Sequence, residues 1–145
     1  MAKFVYQFEA IRKVKENLEK KVQKEIALID MEIGKLKKEH DLLEREEMMS
    51  RNNSGKKGMT VGDIKFKKGY ELCLNRKRAV VSEKIERLSE KRELKMTELI
   101  QKSKEHKIFD TLEENLSENF TQEQNHLEMK FIDDIATQKF VRQNK

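Results

Sequence analysis

The stretch Ser50-Arg51-Asn52-Asn53-Ser54-Gly55-Lys56-Lys57-Gly58-Met59-Thr60-Val61 decides the fold. Of the five glycines in the chain, Gly55 and Gly58 fall inside it and Gly62 stands beside it. Glycine reaches positive φ without steric cost and Asn tolerates it, so the backbone can leave a helix here and reverse. On both sides the chain lacks proline and is dense in good helix formers. The pattern predicts an all-α fold in a single helical-hairpin domain, residues 1–145. A first helix is expected over about 3–49, a turn over about 50–61, and a second helix over about 62–140. The two are expected to pair as an antiparallel coiled coil, with the second helix overhanging at its C-terminus.

Composition restricts the core to a seam. Charged residues make up 41% and apolar residues 36%, with no Trp and no Pro. A wide core cannot be filled from this, but a coiled coil needs only about two apolar positions in every seven. Disorder is the other outcome for such a composition, and only apolar periodicity separates the two.

In the first arm Phe4, Phe8, Ile11, Val14, Leu18, Val22, Ile26, Ile29, Ile33, Leu36, His40 and Leu43 recur at intervals of three and four. In the second, Ile64, Phe66, Tyr70, Leu74, Val81, Ile85, Leu88, Met96 and Ile100 lead to Ile108 or Phe109. Folded back antiparallel, the stripes fit when Ile26 faces Leu88, Ile29 faces Ile85 and Ile33 faces Val81. The midpoint of that register is Lys57, inside the glycine turn. A parallel homodimer would have no use for the reversal. Thr111-Leu112-Glu113-Glu114 resembles a capping box and predicts a break or a new helical start near 110. Beyond it Leu112, Leu116, Phe120, Leu127, Phe131, Ile135 and Phe140 continue an apolar stripe that the first arm cannot cover. Either this tail frays or it is a partner-binding helix.

Net charge is +5, unevenly spread. Residues 1–50 balance 11 basic against 11 acidic groups, residues 51–108 are net +9, and residues 109–145 are net −4. The turn and the start of the second helix, with Lys56, Lys57, Lys67 and Lys68, therefore read as meeting an acidic partner surface, or as merely keeping the turn soluble. At the other end Phe4, Phe8, Phe109, Leu116 and Phe120 gather where the first helix starts, a candidate partner surface that can also simply close the hairpin.

Chemistry is not indicated. Asn53-Ser54-Gly55-Lys56-Lys57 lacks the upstream Gly and the following Ser or Thr of a phosphate loop. His40, His106 and His126 have no metal-ligand spacing, so no metal, cofactor or catalytic residue is expected. A nucleic-acid zipper would run its basic helix straight into a parallel dimer with no glycine turn, so no nucleic acid is expected. The single Cys73 suits a reducing cytosol. No window approaches the roughly 20 apolar residues of a membrane span, so direct insertion is not expected.

The opening Met1-Ala2-Lys3-Phe4-Val5-Tyr6-Gln7-Phe8-Glu9-Ala10-Ile11-Arg12-Lys13-Val14, with the length and charge of the two arms, resembles the flagellar FliJ family of the bacterial type III export apparatus. The resemblance implies a non-enzymatic, stalk-like coiled coil serving flagellum biogenesis, motility and chemotaxis. Its open end would sit against the export ATPase ring and regulate it, and its turn-side half would contact the export-gate membrane protein. Export chaperones would bind it too, and it would lie in the cytoplasm, peripheral to the inner membrane. The family's gate-facing aromatic and leucine match Tyr70 and Leu74, which plain seam packing also explains. Lys77 departs from the small apolar residue expected one turn further on. The alternative from another class is a generic coiled-coil spacer or a prefoldin-like holdase chaperone.

Overall fold

The computed structural model describes residues 2–53 and 58–144. Among these, two helices account for the regular structure and no strand is formed: α1 is Glu9–Asn52 and α2 is Val61–Gln143. The N-terminal boundary differs from expectation. Residues 2–8 are not helical: β-branched Val5 and the aromatic Phe4, Tyr6 and Phe8 are poor helix formers, and Phe4 packs on Phe120 while Tyr6 and Phe8 pack on each other. Tyr6 is buried, and its hydroxyl donates to the Phe109 carbonyl at 2.7 Å.

The second helix starts on a capping box not singled out in the sequence. The Thr60 amide donates to Asp63 Oδ2 at 3.0 Å, and the Asp63 amide donates to Thr60 Oγ1 at 3.2 Å. Just before it Gly58 has φ +106°, in the left-handed region that favours glycine. The expected break near 110 does not occur, and α2 runs through it unbroken. Within that stretch Glu113 meets Arg12 of α1 at 3.0 Å.

The chain divides into two compact units: Lys20–Ile100, and Met1–Glu19 with Gln101–Lys145. In the first unit Val22, Ile26, Ile29 and Ile33 of α1 and Leu74 and Val81 of α2 are buried. The spacing, four, three and four in α1 and one heptad in α2, is that of the expected seam. The pairing is antiparallel, since Glu25 meets Lys95 at 2.8 Å while Glu47 is bound by Arg78. In the second unit the pairing is antiparallel as well, with Lys15 on Glu105 at 2.9 Å and the rings of Phe4 and Phe120 centred 5.7 Å apart.

The register differs from the expected one. Glu25 meets Lys95, where the expected register would set it against Ser89. Asp30 meets Arg92 at 2.5 Å, where Lys84 was due. Ile29 shares a groove with Lys91 and Lys95, and Ile85 shares another with Lys37 and His40, so Ile29 and Ile85 are not partners. The slip is close to one heptad, about 10 Å of axial displacement. Apolar stripes with a seven-residue repeat match almost as well after such a slip, and the charged flanks choose between the registers.

Candidate partner-binding surfaces

Charge and aromatic surface are concentrated at two places, one in each unit. In the unit Lys20–Ile100 the place is the start of α2 beside the end of α1. There Met49, Met59, Asp63, Phe66, Lys67 and Tyr70, with Glu46, line a cleft of about 580 Å³. Tyr70 is 44% exposed and its hydroxyl lies 3.4 Å from Glu46 Oε2. The nearby Glu46 charge, then burial, pushes the phenol above its ordinary pKa. The two bonds with Thr60 hold the Asp63 carboxyl below the usual carboxylate range.

Among the expected turn-side residues, Tyr70 and Lys67 come together in this cleft and Lys68 is exposed next to it. Leu74 does not join them. It is 1% exposed, the most deeply buried large side chain described, so it packs the seam and presents no surface. Lys77 is exposed. Lys56 and Lys57 lie outside the described residues.

Between that cleft and the seam sits Glu47, which is buried although charged. Its carboxylate takes Arg51 at 2.6 Å on one oxygen and Arg78 on the other. The apolar stripe of the first arm ends at Leu43, and Glu47 takes the next position on it. An acidic residue on the apolar face, with arginine one turn away, was the available signal.

In the unit of Met1–Glu19 and Gln101–Lys145, Phe4, Val5, Phe8, Leu112, Leu116 and Phe120 line a cleft of about 620 Å³. Four of the five expected open-end residues thus share one surface. Phe109 stands behind it, half-buried, with its carbonyl on Tyr6. Leu116 and Phe120 were expected to lie beyond the first arm. The slipped register and the non-helical residues 2–8 bring the chain to them, and Phe4 packs on Phe120. Tyr6 was missed because it lies off the heptad stripe. Its ring stands edge-on to Phe8, centroids 5.9 Å apart, and burial, then the Glu113 charge, raises its pKa.

Around this aromatic cluster the helices are joined by charge. Arg12 reaches Glu113 at 3.0 Å and Asp110 at 3.7 Å, and His106 sets Nδ1 2.7 Å from Glu19 and Nε2 3.4 Å from Asp110. Hydrogen bonds to Lys15 and Gln101 hold Glu105 below its ordinary pKa, and one to Arg12 does the same for Glu9. From 121 to 144 every residue is exposed except half-buried Gln124, and Leu127, Phe131 and Phe140 are 57, 66 and 65% exposed.

For a metal, the groups that could act together among the described residues are His40, Asp41 and Glu44, whose ligand atoms lie within 4.8 Å of one another. Asp41 and Glu44 are exposed, and such acidic groups are common without an ion. No described helix is long and apolar enough to cross a membrane. A family model described as Flagellar FliJ protein matches residues 4–145. No curated protein and no solved structure matches the chain.

Proposed function

Because the chain belongs to the flagellar FliJ family, and is therefore a flagellar export-related coiled-coil protein, we propose that it acts as a non-enzymatic stalk between the export ATPase ring and the export gate. In this reading the aromatic end promotes the ring, the turn end contacts the gate membrane protein, and export chaperones bind along the chain. The protein works at the cytoplasmic face of the inner membrane. One observation carries the reading: Phe4, Phe8, Leu116 and Phe120 converge on one open cleft, and the helix continues beyond it with Leu127 and Phe131 uncovered. Burying one such side chain is worth roughly 1.5–3 kcal/mol, so two or three would supply a large part of a binding energy.

Two variants test this against ATPase stimulation. Leu116→Ser with Phe120→Ser removes part of the cleft and is checked for local loosening, because Phe120 packs on Phe4. Leu127→Ser with Phe131→Ser alters only exposed side chains and leaves folding untouched. Both should abolish stimulation of the export ATPase. If both stimulate like the parent, the ring assignment of this end is wrong. At the turn end, Lys67→Glu with Lys68→Glu should lower gate binding and its sensitivity to salt, with helicity unchanged.

A further inference from the structure

In the cleft beside the turn, the Lys67 ammonium nitrogen is shut off from solvent and has no hydrogen-bond partner among the described residues. The carboxylates lining the same cleft are engaged elsewhere. Asp63 holds the Thr60 amide and Glu46 faces the Tyr70 hydroxyl. A cation withdrawn from water without a partner is costly, and an incoming carboxylate removes that cost through a charge-assisted bond. Apart from Ser50, Asn53 and the Tyr70 hydroxyl, the rest of the wall is apolar and adaptable. Phe66 is 79% exposed and Met49 69%, with Met59 alongside, and methionine accommodates side chains of different shapes. About 580 Å³ suits a pair of side chains.

We propose that this cleft binds an acidic peptide segment of a partner protein, its Asp or Glu carboxylate on Lys67 and a neighbouring aromatic or leucine side chain against Phe66 and Met49. Among the described residues Lys67 is the one cation lining the cleft, against Glu46 and Asp63, whose oxygens face Tyr70 and Thr60. Its unpartnered ammonium, within a stretch 51–108 of net charge +9, selects an acidic occupant, and Phe66 and Met49 select one that also carries an apolar side chain. The inference rests on the turn end being partner-facing and adds the chemistry of what is recognised.

The test is amide NMR of the full chain with two blocked peptides, Leu-Asp-Phe-Leu and Leu-Asn-Phe-Leu. The Asp peptide should shift signals over 46–53 and 59–70 and bind about tenfold tighter than the Asn peptide, a difference of about 1.4 kcal/mol. Lys67→Met should erase the difference, while Lys68→Met should keep it. Equal binding of the two peptides, or preference surviving in Lys67→Met, overturns the proposal. So does inorganic phosphate saturating the same signals as tightly as the Asp peptide, or the same shifts arising when the protein alone is concentrated, which would make a second copy's acidic tail the occupant. Binding of the gate's cytoplasmic portion is measured in parallel. Gate binding without peptide discrimination removes only this inference, and discrimination without gate binding removes only the gate reading.

Discussion

Between Lys20 and Ile100 the helices are joined by Val22, Ile26, Ile29, Ile33, Leu74 and Val81, all buried. In the unit of Met1–Glu19 and Gln101–Lys145, Tyr6 is the one buried apolar residue described, and the helices are joined by Arg12, Lys15 and His106 on Glu113, Glu105 and Glu19. Apolar burial holds over a wide range of salt and pH, whereas half-buried ion pairs that still touch water are partly screened by salt and are lost when one partner is neutralised. The same pair of helices thus has one permanent stretch and one conditional stretch. The conditional one also carries the half-exposed aromatics Phe4, Phe8 and Phe120.

The largest expected effect is an all-or-none crosslink that fixes the register of the permanent stretch. In a Cys73→Ser background, Glu25→Cys with Lys95→Cys should link within one chain through a short bismaleimide. Glu25→Cys with Ser89→Cys should not. The reverse result would restore the register read from the stripes alone and undo the pairing on which the comparison stands.

Next comes a truncation in the seam. Leu74→Ala should cost about 2–5 kcal/mol in urea unfolding, since a fully buried leucine leaves a cavity the helices cannot close. Tyr6→Phe, which removes the bond to the Phe109 carbonyl and keeps the ring, should cost far less. Comparable losses would mean that the two stretches do not differ as described.

Glu47 should come third. Glu47→Ala leaves Arg78 half-buried and Arg51 without their carboxylate, for a loss of about 1–3 kcal/mol. Glu47→Leu with Arg78→Leu should recover stability, because buried ion pairs are often replaceable by apolar residues. That double variant should also permit the 25–89 crosslink. If only the 25–95 link forms, the ionic cluster does not set the register.

These outcomes bear on what a sequence discloses. The two helices and the turn were legible because glycines interrupt a helix-forming chain and the apolar stripes keep their period. Register was not, because a stripe repeating every seven residues is nearly blind to a slip of seven. Glu25, Asp30 and Glu47 carried the missing information, but their partners are long side chains that reach across a turn. The gathering of Phe4, Phe8, Leu116 and Phe120 on one surface was legible as a concentration of phenylalanines. Its closure was not, since Tyr6 packs from a non-helical segment where periodicity says nothing. Lys67 could be read as basic but not as unpartnered, which depends on Asp63 and Glu46 being engaged elsewhere.

The smallest effect, and the one that separates the two stretches most directly, is acid loosening of the conditional end. Glu9 and Glu105 have folded-state pKa values below the ordinary 4.5, set by bonds to Arg12 and Lys15. A carboxyl with a depressed folded pKa gives stability that is complete above its unfolded value and is lost as pH falls through the folded one. The loss therefore begins below about pH 4.5 and grows towards pH 3. Glu25, held down by Lys95, titrates in the same window, but the buried seam around it remains. Tyr6 and Tyr70 are the only tyrosines and there is no Trp, so Tyr70→Phe leaves Tyr6 as the sole reporter of the conditional end. On lowering pH from 7 to 3, acrylamide quenching of Tyr6 should rise while helical circular dichroism changes little. Salt at 1 M, where screening acts within about 3 Å, should produce part of the same rise at pH 7. Helicity lost before Tyr6 becomes accessible would place the weaker stretch in the unit from Lys20 to Ile100 and reverse the comparison.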